Sequence, residues 1–228
     1  MAVRSRRFAP PTDEERWDVA SVTMQMRMDV VSNWEAGTPM PVYFGTYDEM
    51  SAYCEWNQLL IEEIRGVKPD DGVLIRHTGT RVGYGLVWVK ATTKRVEVRK
   101  AMVNHIIDAY HLRPNELSPV DADHVVNRAS LKKAPDAWVA LMPVFYEVNR
   151  RTGFIFEKGL EVETSRSKNY PNPLQMFKIL SDIWPRTVAE YEEAIKRVEA
   201  QHMLPHLTSE IRTWIAAGFP FLSSQNPS

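Results

Sequence analysis

Three polar side chains able to do chemistry together, Asp123, His124 and Asn149, fall within one stretch, VDADHVVNRASLKKAPDAWVALMPVFYEVNRRTGFIFEK, from Val120 to Lys158. Asp123-His124 closes a short β-branched run and a loop with basic residues follows. A second apolar run spans Val139 to Val144, and Asn149 opens a polar, helix-compatible segment. This order reads strand, loop, strand, helix. In such a unit the end of the first strand and the first turn of the helix converge on one point, which would bring the Asp123 carboxylate and the Asn149 amide oxygen together. Both are hard oxygen donors suited to Mg²⁺ or Mn²⁺; Mg²⁺ keeps several waters and needs few protein ligands. His124, the neighbour of Asp123, points to the other face of a pleated strand. An imidazole near its ordinary pKa can there take a proton from water.

Taken together, these features resemble the ββα-metal finger of HNH endonucleases, closest to the zinc-free form in the HNH domain of RNA-guided CRISPR effector nucleases. The matching residues are Asp123-His124 followed by Val125-Val126, the basic loop, the hydrophobic strand, and the pair Asn149-Arg150. They span about forty residues of 228. The resemblance implies that His124 is the general base, that Asp123 and Asn149 hold the metal, and that the substrate is a DNA phosphodiester, with RNA an alternative for the same site. The family usually has an asparagine before the second strand to orient the histidine. Here Asp136-Ala137-Trp138 stands in its place, so Asp136 or a backbone carbonyl must do that work. Arg128, Lys132, Lys133, Arg150 and Arg151 surround the site and are expected to hold substrate phosphates by charge-assisted hydrogen bonds. The competing class is a catalytically inactive interaction protein that keeps the finger as a scaffold, with the first helix and Phe219 to Leu222 as partner surfaces.

Composition bounds these readings. A hydrophobic content of 44% over 228 residues can fill a core. No apolar run approaches the roughly 20 residues of a membrane span, so no membrane partner is expected. The basic N-terminus lacks the apolar region of a secretory signal, which leaves the cytoplasm as the expected location. The single cysteine, Cys54, excludes an intrachain disulfide and the paired cysteines that brace many zinc-dependent fingers. A net charge of −1 means that any nucleic-acid contact must come from local positive charge.

The elements that would position the site are mainly helices. The spacing predicts a methionine-rich helix from Thr12 to about Glu35, suited to core packing or to a homodimer or protein-partner surface, with Gly37 as its stop. A short strand over Val42 to Phe44 follows, then a helix from Tyr47 to Arg65 capped by Thr46 or Asp48. Gly72–Thr78 and Gly85–Ala91 read as a hairpin, with Arg76, His77 and Arg81 available to phosphate. A helix from Lys94 to His111, capped by Thr92 or Thr93, leads into the finger, its basic side including Arg99. Its His105 is expected on the helix surface. A polar loop over 161–172 and helices from Leu174, Thr187 and Thr208 close the chain. The expected class is α+β, with the finger embedded between a mixed N-terminal region (1–92) and C-terminal helices (166–228), the nuclease core occupying 93–165.

Overall fold

The computed structural model describes residues 19–78, 85–117, 120–126, 128–146, 164–181, 188–202 and 205–216. Helix α1 (Val19–Glu35) buries Val22, Met26 and Val31 and packs on the central strand of the sheet, so these apolar positions serve the core. Gly37, at φ +70°, follows its end. After β1 (Tyr43–Phe44), helix α2 (Tyr47–Trp56) is capped by Thr46, the first of the two expected candidates, its Oγ1 accepting from the Glu49 amide at 3.2 Å.

Helix α2 ends sooner than its apolar spacing predicts. Asn57 and Gln58 turn the chain, Gln58 in the left-handed region at φ +55°, and Leu59–Glu63 becomes strand β2. Leu59, Leu60 and Ile61 suit either period. Pairing decides the matter, since Ile61 lies opposite Ile75 on strand β3 (Gly72–His77). That pairing also brings Glu62 to Arg76, whose Nε and Nη2 each donate to the carboxylate at 2.7 Å. Arg76, expected at phosphate, is thus engaged within the sheet. Arg81 lies outside the described residues.

Strand β4 (Leu86–Lys90) completes the hairpin, and α3 (Arg95–Tyr110) follows. Its N-cap is Lys94, without a side-chain cap bond; Thr93 instead donates its hydroxyl to the Asp71 carbonyl at 2.9 Å. A 3₁₀ turn (Pro114–Leu117) leads into β5 (Val120–His124), then α4 (Arg128–Leu131) and β6 (Trp138–Phe145). Within the predicted loop, Lys168–Asn169 pairs with β1 as strand β7. Helix α5 (Pro173–Leu180) opens on a full capping box, Asn172 and Gln175 exchanging hydrogen bonds of 2.9 Å. Helices α6 (Val188–His202) and α7 (Pro205–Ala216) follow.

All pairings among the described residues are antiparallel, and they build a seven-stranded sheet in the order β2-β3-β4-β6-β1-β7, with β5 also on β6. Helices and an antiparallel sheet make the chain α+β. Strands from all three sequence segments, 1–92, 93–165 and 166–228, enter this one sheet. Strand β6 is its spine: Val139, Ala140 and Leu141 are essentially fully buried and pair with β4 along one edge.

Candidate functional site

The other edge of β6 is shared by two strands laid end to end. β1 covers Trp138 and Val139, and β5 covers Leu141 to Phe145. They meet at Ala140, whose amide donates to the Val42 carbonyl at 3.0 Å and whose carbonyl accepts from the Val125 amide at 3.1 Å. Asp123-His124 therefore sits where one strand ends and another begins, a natural break in an edge. Residues directly opposite one another share a face of the sheet. The register puts Asp123 with Met142, Trp138, Phe44 and Trp88 on one face, and His124 with Leu141, Val139 and Tyr43 on the other. The opposed directions expected of this pair are thus present.

Asp123 faces a cation. Its Oδ2 contacts the ammonium of Lys178 on α5, with side-chain exposures of 15% and 7% respectively. Helix α5, PLQMFKIL, is buried from Leu174 through Leu180, and Lys178 is its single charged residue. A buried ammonium needs a partner, and Asp123 supplies it. That solitary charge in an apolar helix is the one sign in the sequence that a buried partner is needed, and it does not say which. The carboxylate suits a hard divalent ion in chemistry and in charge, because its oxygen already faces a cation. An ion bound there must displace Lys178 or share the carboxylate with it. Among the described residues no three His, Cys, Asp or Glu side chains gather to hold a metal. A hard-ion site completed by an amide and waters does not need such a group.

His124 is buried, at 6% exposure. A general base must come within hydrogen-bond reach of its proton, so the role expected of this imidazole would require it to be uncovered first. Asp136 does not orient it. Its carboxylate lies 2.9 Å from Lys90 Nζ, beside the β4 edge of β6, across the strand from β5. Lys132 and Lys133 follow α4, are exposed, and form no ion pair among the described residues. Arg128 is the first residue of α4. Asn149, expected as the second metal ligand, and Arg150 and Arg151, expected at phosphate, lie outside the described residues. Arg99, on the basic side of α3, reaches β5 and donates to the Val120 carbonyl at 3.1 Å and to Asp121 at 3.4 Å.

Two further titratable groups are core components. Burial pushes the Cys54 thiol up to about 12, leaving it protonated and inert. His105, expected at the helix surface, is buried, and its imidazole is lowered to about 4 by desolvation. It stays neutral in the folded protein while the unfolded chain takes up a proton below about pH 6.5. The unfolded state then binds more protons, so stability falls as pH drops from about 6.5 to 4, by about 3 kcal/mol at full extent. The melting temperature of the wild type is expected to fall more steeply over that window than that of His105→Leu. Equal slopes would show that His105 does not couple to folding.

No family model, no curated protein and no solved structure matches this chain.

Proposed function

We propose that this chain is a divalent-metal-dependent phosphodiesterase of the HNH type acting on DNA. The observation that carries this reading is the strand pair itself. Asp123-His124 ends β5, β5 lies antiparallel on β6, and Tyr146 is helical directly after β6, shortly before Asn149. Two antiparallel strands joined through the short helix α4, with a helical residue after the second, fit the first part of the strand, loop, strand, helix order expected of such a unit.

Asp123 and Asn149 would hold Mg²⁺ or Mn²⁺, which would supply Lewis-acid neutralisation of the negative charge that builds up on the phosphodiester during hydrolysis. His124 takes the proton of the attacking water and, from the opposite face of the strand, leaves the carboxylate free for its own task. Arg128, Lys132, Lys133, Arg150 and Arg151 hold flanking phosphates by charge-assisted hydrogen bonds. With a net charge of −1, this local cluster is the source of affinity for the backbone. RNA offers the same phosphodiester and is the second substrate for comparison.

A second reading draws on specific observations. The Lys178 ammonium on Asp123 and the burial of His124 favour an interaction protein that keeps the strand pair as a scaffold. Incubation of the purified chain with supercoiled plasmid and with RNA, in Mg²⁺, Mn²⁺ and EDTA, separates the two. Metal-dependent nicking that His124→Ala removes supports the enzyme. Intact substrate under every condition supports the scaffold.

A further inference from the structure

The face of the sheet that carries Asp123 holds a second feature, an open cleft of about 270 Å³ between α2 and β7. Phe44, Glu49, Tyr53, Trp56, Asn57 and Lys168 line it. Trp56, at the end of α2, leaves its ring 86% exposed, although burying so large an apolar surface would be favourable. Beside the cleft, Tyr170 is 45% exposed. Lys168 Nζ stands 5.1 Å from the Tyr53 ring centroid and 5.7 Å from that of Tyr170, and it forms no ion pair among the described residues. Glu49 has one carboxylate oxygen, Oε2, buried without a hydrogen-bond donor. Gly45 leaves it room, since a Cβ there would stand 2.7 Å from that oxygen.

Each of these groups lacks a partner of a different kind. The exposed indole offers a flat face for a flat ring, the ammonium over aromatic rings calls for an anion, and the carboxylate calls for an N–H. One ligand class carries all three: a nucleotide whose base is unpaired, with a planar ring, a phosphate and an amino edge. In a duplex each base is stacked between its neighbours and its ring face is hidden, so the polymer must be single-stranded at this point.

We propose that this cleft binds an unpaired base of a single-stranded nucleic acid. The base stacks on Trp56, its amino edge donates to the accessible side of the Glu49 carboxylate, the enclosed Oε2 staying against Gly45, and an adjacent phosphate meets Lys168. Stacking platforms beside a cationic group are the general means of gripping single strands. A carboxylate accepts from the N4 amino group of cytosine, whereas thymine presents an N–H flanked by two carbonyls that repel it. Bases with an amino group are therefore preferred. Phe44 pairs with Trp138 and Asp123 with Met142, so the cleft lies about 13 Å along β6 from Asp123, at about 3.3 Å per residue. A strand held at Trp56 can thus run toward the Asp123 edge. That last step rests on the phosphodiesterase reading; the binding itself does not.

The test uses the full chain in EDTA, with anisotropy of fluorescein-labelled oligo-dC, oligo-rC and oligo-dT. Oligo-dC and oligo-rC are expected to bind more tightly than oligo-dT. Trp56→Ala should weaken oligo-dC by about tenfold or more, the loss of one stacked base, and Trp56→Phe should retain most of the affinity. Lys168→Gln should weaken all three and make binding less dependent on salt. Glu49→Gln should erase the preference for dC over dT. Unchanged affinity in a Trp56→Ala variant that melts like the wild type overturns the proposal, as does absence of oligonucleotide binding by the wild type. If Trp56→Ala weakens binding while the wild type in Mg²⁺ cuts nothing, the cleft stands and the phosphodiesterase falls. Cleavage by the wild type with unaltered binding by Trp56→Ala gives the reverse.

Discussion

His124→Ala is expected to lower the rate of plasmid nicking by about 10²- to 10⁴-fold, the usual contribution of a positioned general base, while leaving the response to metal nearly intact. The separation follows from the strand. Asp123 and His124 are adjacent, yet their side chains leave on opposite faces, so removing the imidazole does not remove the ligand. His124 is also buried, and truncation opens a cavity, so His124→Asn, which keeps most of the volume, belongs beside it. Both variants should lose nicking while the melting temperature still responds to Mg²⁺. Asp123→Ala should lose both responses. Nicking at the wild-type rate in His124→Ala and His124→Asn would place the base elsewhere and end the proposed mechanism.

Lys178→Met is expected to destabilise the fold by about 3–5 kcal/mol, because it strips a largely buried carboxylate of its ammonium. For a chain of this size that is a fall in melting temperature of about 6–20 °C. A metal reverses the sign of the argument. Lys178 competes with any divalent ion for Asp123, so its removal should raise the affinity for Mg²⁺, and millimolar Mg²⁺ should restore more of the lost stability than it adds to the wild type. The double variant Asp123→Asn, Lys178→Met removes both charges and should regain stability without any response to Mg²⁺. An Mg²⁺ effect equal in the single and double variants would show that Asp123 binds no metal.

The pairing of Asp123 with Lys178 bears on both readings of function. In the enzyme it keeps a carboxylate oriented toward a cation before the ion arrives; in the scaffold it is simply a satisfied buried pair. The two experiments on His124 and Lys178 therefore answer different questions. One asks whether the chain cuts, the other whether the carboxylate can exchange its partner.

Much of the local structure was legible in the sequence. An N-cap for α2 at Thr46 or Asp48, the hairpin of β3 and β4, the Asp-His pair at the end of a strand and the apolar run of β6 all follow from local chemistry. Each depends on a residue and its near neighbours in the chain. Helix α2 shows where that reasoning ends, because Leu59 to Ile61 fit a helix as well as a strand until β3 pairs with them.

Some arrangements arise only between distant segments. Composition, one cysteine and the order of polar and apolar runs were enough to define an α+β chain with Asp123 and His124 on opposite faces of one strand. Tertiary structure alone decided that Lys178 meets Asp123, that His124 and His105 are buried, and that Trp56 and Lys168 frame one cleft. Faces and caps are set by the pleat and by hydrogen bonds a few residues apart. Burial and ion pairing depend on which elements the sheet brings together, and here β6 gathers strands from both halves of the chain.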